Sequence, residues 1–321
     1  MASIVVAYIK NKNVDAALNM YSCILVEHPS ITLDYGMVIN LCTLLVENGR
    51  NHEAIKTLKE HLELNVKKTD DIKKIRENCR DLLGAAATTC DYELTKQLFD
   101  VLLSGELVEP ENFILVPLLQ CKLNSDDLPG AVSVAETMYK TYNLLPKRME
   151  ILIFILCHYK DMKKKIPVPN FIGGMEQSNA DTNILEHMLN LITQCYGSVQ
   201  AQHDLMFAYL ETGLPDDARQ VLQNLGKEVN VNQLNKMCKV YLKMEREDAL
   251  LHFLNASRGN DFIDHEKIFS ALLDMYNAQC AGDKALSLWT LMQKEGFTPS
   301  EAFLSTLASL LAYNKIPFPD H

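Results

Sequence analysis

The chain has 321 residues, 48% of them hydrophobic, and a formal net charge of −10. That balance excludes a largely disordered chain and also a protein that coats nucleic acid by its overall charge, so phosphate contact requires a local strip of basic and polar groups. The nine cysteines are scattered with no Cys-x-x-Cys pair, which reads as reduced thiols of a cytosolic-type or matrix compartment, and the longest apolar run, Ile151 to Cys157, is far short of a membrane span.

The opening stretch MASIVVAYIKNK has neither a secretory pattern nor an Arg/Ser-rich transit pattern. It reads as half of a repeat that starts abruptly, and so as a truncated chain with any targeting signal upstream. From there, apolar residues at helical spacing alternate with short breaks. A small residue followed by an apolar one recurs early in each expected second helix: NVDAALNMY (Ala17), NHEAIKTL (Ala54), DYELTKQLF (Leu94) and LPGAVSVAETM (Ala131). A helix is then expected from about Lys147 to Lys164. The stretch with Pro167, Pro169, Gly173 and Gly174 predicts a loop near 165–181, followed by a helix from about Asn183 to Tyr196. The pattern resumes with PDDARQVL (Ala218), REDALLHFL (Ala249) and GDKALSLWTLM (Ala285). The anchors recur about every 35 residues except across 131–218, which holds two units and an insertion.

This divides the chain into a degenerate repeat block over 1–145, an irregular helical pair with a long loop over 146–197, and a more regular block over 198–321 ending in a capping helix. A small residue on the second helix lets the first helix approach, and the apolar residues after it cover the next hairpin, so the units must stack. Gly49 and Gly213 suit left-handed helix ends. Asp15, Asp91, Asp127, Asp216 and Asp283 stand where a carboxylate satisfies free N–H groups at second-helix starts.

The unit from Glu266 to Ser300 carries Phe269, Leu272, Ala285, Leu286, Leu288, Trp289, Met292, Gly296 and Pro299. In that spacing it resembles the pentatricopeptide repeat (PPR), a helix-turn-helix unit ending in Gly-x-x-Pro. Units 199–230 and 231–265 follow the pattern in part, and those before 145 lack the ending. FLSTLASLLAYNKIPFP, from Phe303 to Pro319, is similar to the C-terminal end of the metazoan leucine-rich PPR motif-containing family. The resemblance implies an all-α, right-handed superhelical solenoid of about eight degenerate PPR-type hairpins. It also implies a non-enzymatic scaffold that binds single-stranded mRNA with a small RRM-type protein partner and supports mRNA stability, polyadenylation and translation. The implied compartment is the mitochondrial matrix, with nucleus or cytoplasm as further locations. A scaffold that binds only protein is the alternative, favoured for 1–145.

In PPR arrays the fifth and last positions of each unit face the groove and read base edges. Carried over, the fifth positions are His203, Asn235, Ser270 and Ser305. The last positions are about Asn230, then Asp264 or His265, then Ser300. In the first block the corresponding residues are about Ile39 and Val116, which cannot hydrogen-bond a base. Two basic clusters, Lys160/Lys163/Lys164/Lys165 and Lys67/Lys68/Lys73/Lys74/Arg76, read as solvated helix ends. Cys157 and His158, beside an apolar run, read as core or near-core residues. Trp289 and the recurring Tyr209, Tyr241 and Tyr276 read as packing residues. Nothing in the sequence points to catalysis, a metal, a cofactor, a small-molecule substrate or a membrane.

Overall fold

In the computed structural model, residues 1–31, 33–64, 71–161 and 184–318 are described. They form two compact units, 1–147 and 148–321, and contain helices and no strand. The proposed loop at 165–181 lies outside the described residues.

The first unit holds α1 (Ala2–Lys10), α2 (Val14–Glu27), α3 (Tyr35–Glu47), α4 (Asn51–Glu63), α5 (Ile72–Thr88), α6 (Tyr92–Ser104), α7 (Asn112–Asn124) and α8 (Leu128–Tyr142). The odd-numbered helices are the first helices of four hairpins and pack in a row, α1 on α3, α3 on α5 and α5 on α7. Each pairs with the even-numbered helix that follows it.

The second unit holds α9 (Arg148–Asp161), α10 (Ile184–Tyr196), α11 (Ser198–Glu211), α12 (Pro215–Leu225), α13 (Val231–Lys243), α14 (Glu247–Ala256), α15 (His265–Ala278), α16 (Gly282–Lys294) and α17 (Glu301–Tyr313). Here α9 packs on α11, α13 on α15 and α15 on α17, while α12 packs on α14. Between α11 and α13 the link is made by side chains. The ring of His203 accepts from the Asn230 N–H at one end, and Arg246 pairs with Glu211 at the other.

The helices pair where the sequence places small residues. Ala17, Ala54, Ala131, Ala218, Ala249 and Ala285 are all fully buried. A larger side chain at any of them would force two helices apart, at a cost of about 1–3 kcal/mol. Leu94 takes the same position on α6, and its partner helix α5 carries the small residues instead, Ala86 and Ala87.

Every hairpin turn between directly joined first and second helices contains one residue with a left-handed backbone: Lys12, Gly49, Cys90, Asp126, Gly213, Glu245 and Cys280. At six of the seven, the amide of the next residue returns to a carbonyl in the last helical turn; Asp127 N–H to the Lys122 carbonyl and Arg246 N–H to the Tyr241 carbonyl, both about 3 Å, are two of them. This closes the free ends of the first helix. Asp91 and Asp127 cap second helices as expected, accepting from Leu94 and Gly130 N–H at 2.9 Å. Asp15, Asp216 and Asp283 instead sit inside the first turn, where they complement the helix dipole.

Adjacent hairpins are also joined by polar links one repeat long. Arg50 reaches Asp15 and Arg246 reaches Glu211, each 35 residues away. Arg219 bonds the carbonyl and side chain of Asn255, 36 residues on. Trp289 is core, 2% exposed, with the Phe303 and Phe318 rings at 6.5 and 6.1 Å. Tyr209, Tyr241 and Tyr276 are buried at one recurring site. The reading of Cys157 and His158 as core is corrected. The buried stripe of α9 is Ile151, Leu152, Ile155 and Leu156, and the next two residues turn to its exposed side.

Candidate nucleic-acid interface

The first helices α13 and α15 leave a groove of about 360 Å³ between them. Asn235, Lys239 and Leu242 line it from α13, and Lys267, Ser270 and Asp274 from α15. Two of the fifth-position residues, Asn235 and Ser270, therefore share one cleft, and both remain partly accessible. Ser305, the next in the series, is exposed on α17. Cys238 forms part of the groove wall, and burial pushes its thiol up to about 11, so it offers a neutral surface at pH 7. Burial likewise raises the Asp274 carboxyl.

The last-position residues lie elsewhere. Asp264 and Ser300 are the N-caps of α15 and α17, accepting from Lys267 N–H at 3.4 Å and Phe303 N–H at 3.2 Å. Asp264 also pairs with the Lys267 ammonium at 3.0 Å. The backbone N–H of Ser300 donates to Glu266 at 2.9 Å. Both residues thus have part of their bonding capacity taken by the helix starts.

His203 is corrected. It is fully buried, its Nε2 accepts the Asn230 N–H at 3.0 Å, and burial holds the ring below the usual imidazole range. The cause is the surroundings of α11, which is packed by α9, α10, α12 and α14 and buried from Ala201 to Leu210. A fifth position faces a groove only where its helix has an open side. Asn230 caps α13, accepting from Gln233 N–H at 3.1 Å. In the first unit Ile39 is fully buried, while Val116 borders a separate groove.

Sequence reasoning missed the electrostatics of α13. Lys236, Lys239 and Lys243 are exposed, lie within one side of the helix, and make no ion pair among the described residues. The helix has no Asp or Glu. The signal was available as three lysines and no carboxylate in a 13-residue helix of an acidic chain. In the two clusters considered from sequence, Lys73 and Lys74 are exposed at the start of α5, while one further member of each is taken up by protein groups. Lys160 caps the Thr212 carbonyl at 3.0 Å, and Arg76 pairs with Glu109 and Glu111. Lys67, Lys68, Lys163, Lys164 and Lys165 lie outside the described residues.

Among the described residues no group of three or more His, Cys, Asp or Glu could hold a metal, and no helix is long and apolar enough to cross a membrane.

Stacked helical hairpins with an open first-helix face define a helical-repeat protein. No protein-family profile matches the chain. It is similar over 96% of its length, at 25% identity, to the leucine-rich PPR motif-containing protein, mitochondrial, of Xenopus tropicalis, covering 21% of that protein. The mouse protein of the same name is 23% identical over 74% of this chain and 16% of its own length. The resemblance drawn from Glu266–Ser300 and Phe303–Pro319 is thus met by curated relatives bearing that name, and the chain spans about a fifth of their length or less. Among solved structures, the maize pentatricopeptide repeat protein PPR10 aligns over 98% of this chain and 51% of its own, at 16% identity and a TM-score of 0.37. PPR10 in complex with an 18-nucleotide psaJ RNA element aligns with a TM-score of 0.31, at 15% identity over 98% of this chain and 56% of its own.

Proposed function

We propose that this chain is a non-enzymatic, helical-repeat scaffold that binds single-stranded RNA through the open faces of α13, α15 and α17. The observation that carries the reading is the stripe of Lys236, Lys239 and Lys243 beside the groove that holds Asn235 and Ser270. Unpaired ammonium groups hold phosphates without regard to sequence, while amide and hydroxyl groups one repeat apart meet base edges. The relatives' name, with its PPR motif and the word mitochondrial, supports a mitochondrial location; the family resemblance supplies messenger RNA of the matrix as the pool, and stability, polyadenylation and translation of those transcripts as the process. The family resemblance adds a small RRM-type protein as a partner.

The test is titration of single-stranded RNA against the whole chain over a salt series. Binding that weakens steeply with salt supports the reading. Absence of binding tighter than about 10⁻⁴ M, the weak end of nonspecific affinity, rejects it in favour of a scaffold for protein alone.

A further inference from the structure

The first helices of the first unit carry a groove of their own, about 430 Å³, that crosses α3, α5 and α7. Its chemistry is the reverse of that between α13 and α15. No lysine lines it. Glu47 on its α3 wall is exposed and makes no ion pair among the described residues, and the one cation, Arg80, is paired with its neighbour Asp81 at 2.9 Å. A phosphate is repelled here and an ammonium or guanidinium is attracted.

Two further features point to a chain with an exposed backbone and apolar side chains. Phe113 on α7 is 38% exposed at the groove, a large ring left open to water. One turn on, Pro117 has no N–H to give to the Phe113 carbonyl, so that oxygen lacks its helical partner. The floor under them is Gly84 and Ala85 of α5. Mid-helix glycine weakens a helix relative to alanine. Neither a positive φ nor a close neighbour requires it at Gly84, where a Cβ would meet nothing within 4 Å.

We propose that this groove binds an extended segment of a partner protein that presents lysine or arginine beside an apolar residue. The cationic side chain pairs with Glu47, the apolar one lies over Gly84 against Phe113, and a backbone N–H of the segment takes the place of the N–H that Pro117 cannot give to the Phe113 carbonyl. Three neighbouring helices at about 8–10 Å spacing span roughly 20 Å, the length of about six extended residues at ~3.3 Å each. The proposal stands independently of RNA binding by the second unit.

Fluorescein-labelled hexapeptides of alternating lysine and leucine, or of alternating glutamate and leucine, are titrated by anisotropy against the whole chain, with single-stranded RNA as a third probe. Gly84→Trp fills the open space and leaves every charge in place, and Phe113→Ser changes only an exposed ring. The lysine–leucine peptide is expected to bind and the glutamate–leucine peptide to fail. Gly84→Trp, Phe113→Ser and Glu47→Gln should each weaken binding, the first by at least about tenfold, with helical circular dichroism unchanged. Equal binding of the lysine–leucine peptide to wild type and to both Gly84→Trp and Phe113→Ser would reduce the effect to overall acidity and overturn the proposal, as would no binding at all. RNA affinity lost in Phe113→Ser without any peptide binding would assign the groove to nucleic acid and overturn it too.

Discussion

Arg148, at the start of α9, holds the carboxylate of Asp204 on α11, whose side chain is only 3% exposed. The guanidinium lies 4.5 Å from the Tyr196 ring centroid on α10, and Gln200 donates to the second oxygen of Asp204 at 2.7 Å. One residue therefore ties three helices around a buried charge. Truncating it strands that charge, and breaking a buried pair in this way costs about 3–5 kcal/mol. Arg148→Ala should lower the urea midpoint of the second unit accordingly. Asp204→Asn keeps the shape and removes the charge, and should cost clearly less. Equal losses for the two variants in equilibrium denaturation would show that packing, not the stranded charge, sets the effect.

The lysine stripe of α13 and the cleft beside it should act on RNA in different ways. Replacing Lys236, Lys239 and Lys243 with alanine should weaken binding to all sequences and flatten the salt dependence, by about 0.7 in logarithmic slope for each phosphate no longer neutralised. Asn235→Ala and Ser270→Ala should leave the slope unchanged and reduce discrimination between sequences. Binding isotherms at several salt concentrations on two unrelated RNA sequences separate the two effects.

The repeat was legible because its packing is local. A fully buried alanine early in six of the second helices and a tyrosine buried at one site in successive units both follow from packing within a hairpin or against its neighbour. Asn235 and Ser270, which line one groove, follow from the same register, as does the exposure of Ser305 on α17. His203 did not, because its helix is enclosed by four others, an arrangement that depends on α9 and α10 and leaves no periodic mark on α11. The open faces were also misjudged in charge. Of the sequence clusters, Lys160 is taken up by a carbonyl and Arg76 by two carboxylates, whereas the lysines of α13 are spread over two turns and stay unpaired among the described residues.

The left-handed turn residues give a stability test. Cys90, Glu245 and Cys280 adopt φ near 53–58° at exposed hairpin turns, a conformation that costs an L-residue about 1–2 kcal/mol and glycine little. Gly49 and Gly213 already occupy the same place in two other hairpins. Glu245→Gly and Cys280→Gly should each raise stability by roughly 0.5–1 kcal/mol, once the greater entropy of glycine in the unfolded chain is subtracted. Thermal unfolding of the two variants, alone and combined, checks both the sign and the additivity expected of separate turns.

His61 sets a pH dependence in the first unit. It is fully buried on α4, with the Tyr35 ring edge-on at 5.1 Å and the Tyr21 ring at 6.3 Å, and burial holds its ring below the usual imidazole range, only partly opposed by the Leu33 backbone and Asp34. The folded chain thus binds the proton less readily than the unfolded one. Stability is full above the unfolded value of about 6.5 and declines as the pH falls from there through the lower native value. His203 adds a decline of the same sign in the second unit. His61→Phe keeps an aromatic ring among the two tyrosines and removes the titration. Urea denaturation at a series of pH values between neutral and mildly acidic should therefore show a shallower loss of stability in that variant than in the wild type. An unchanged slope would mean that the ring takes up its proton equally in the folded and the unfolded chain.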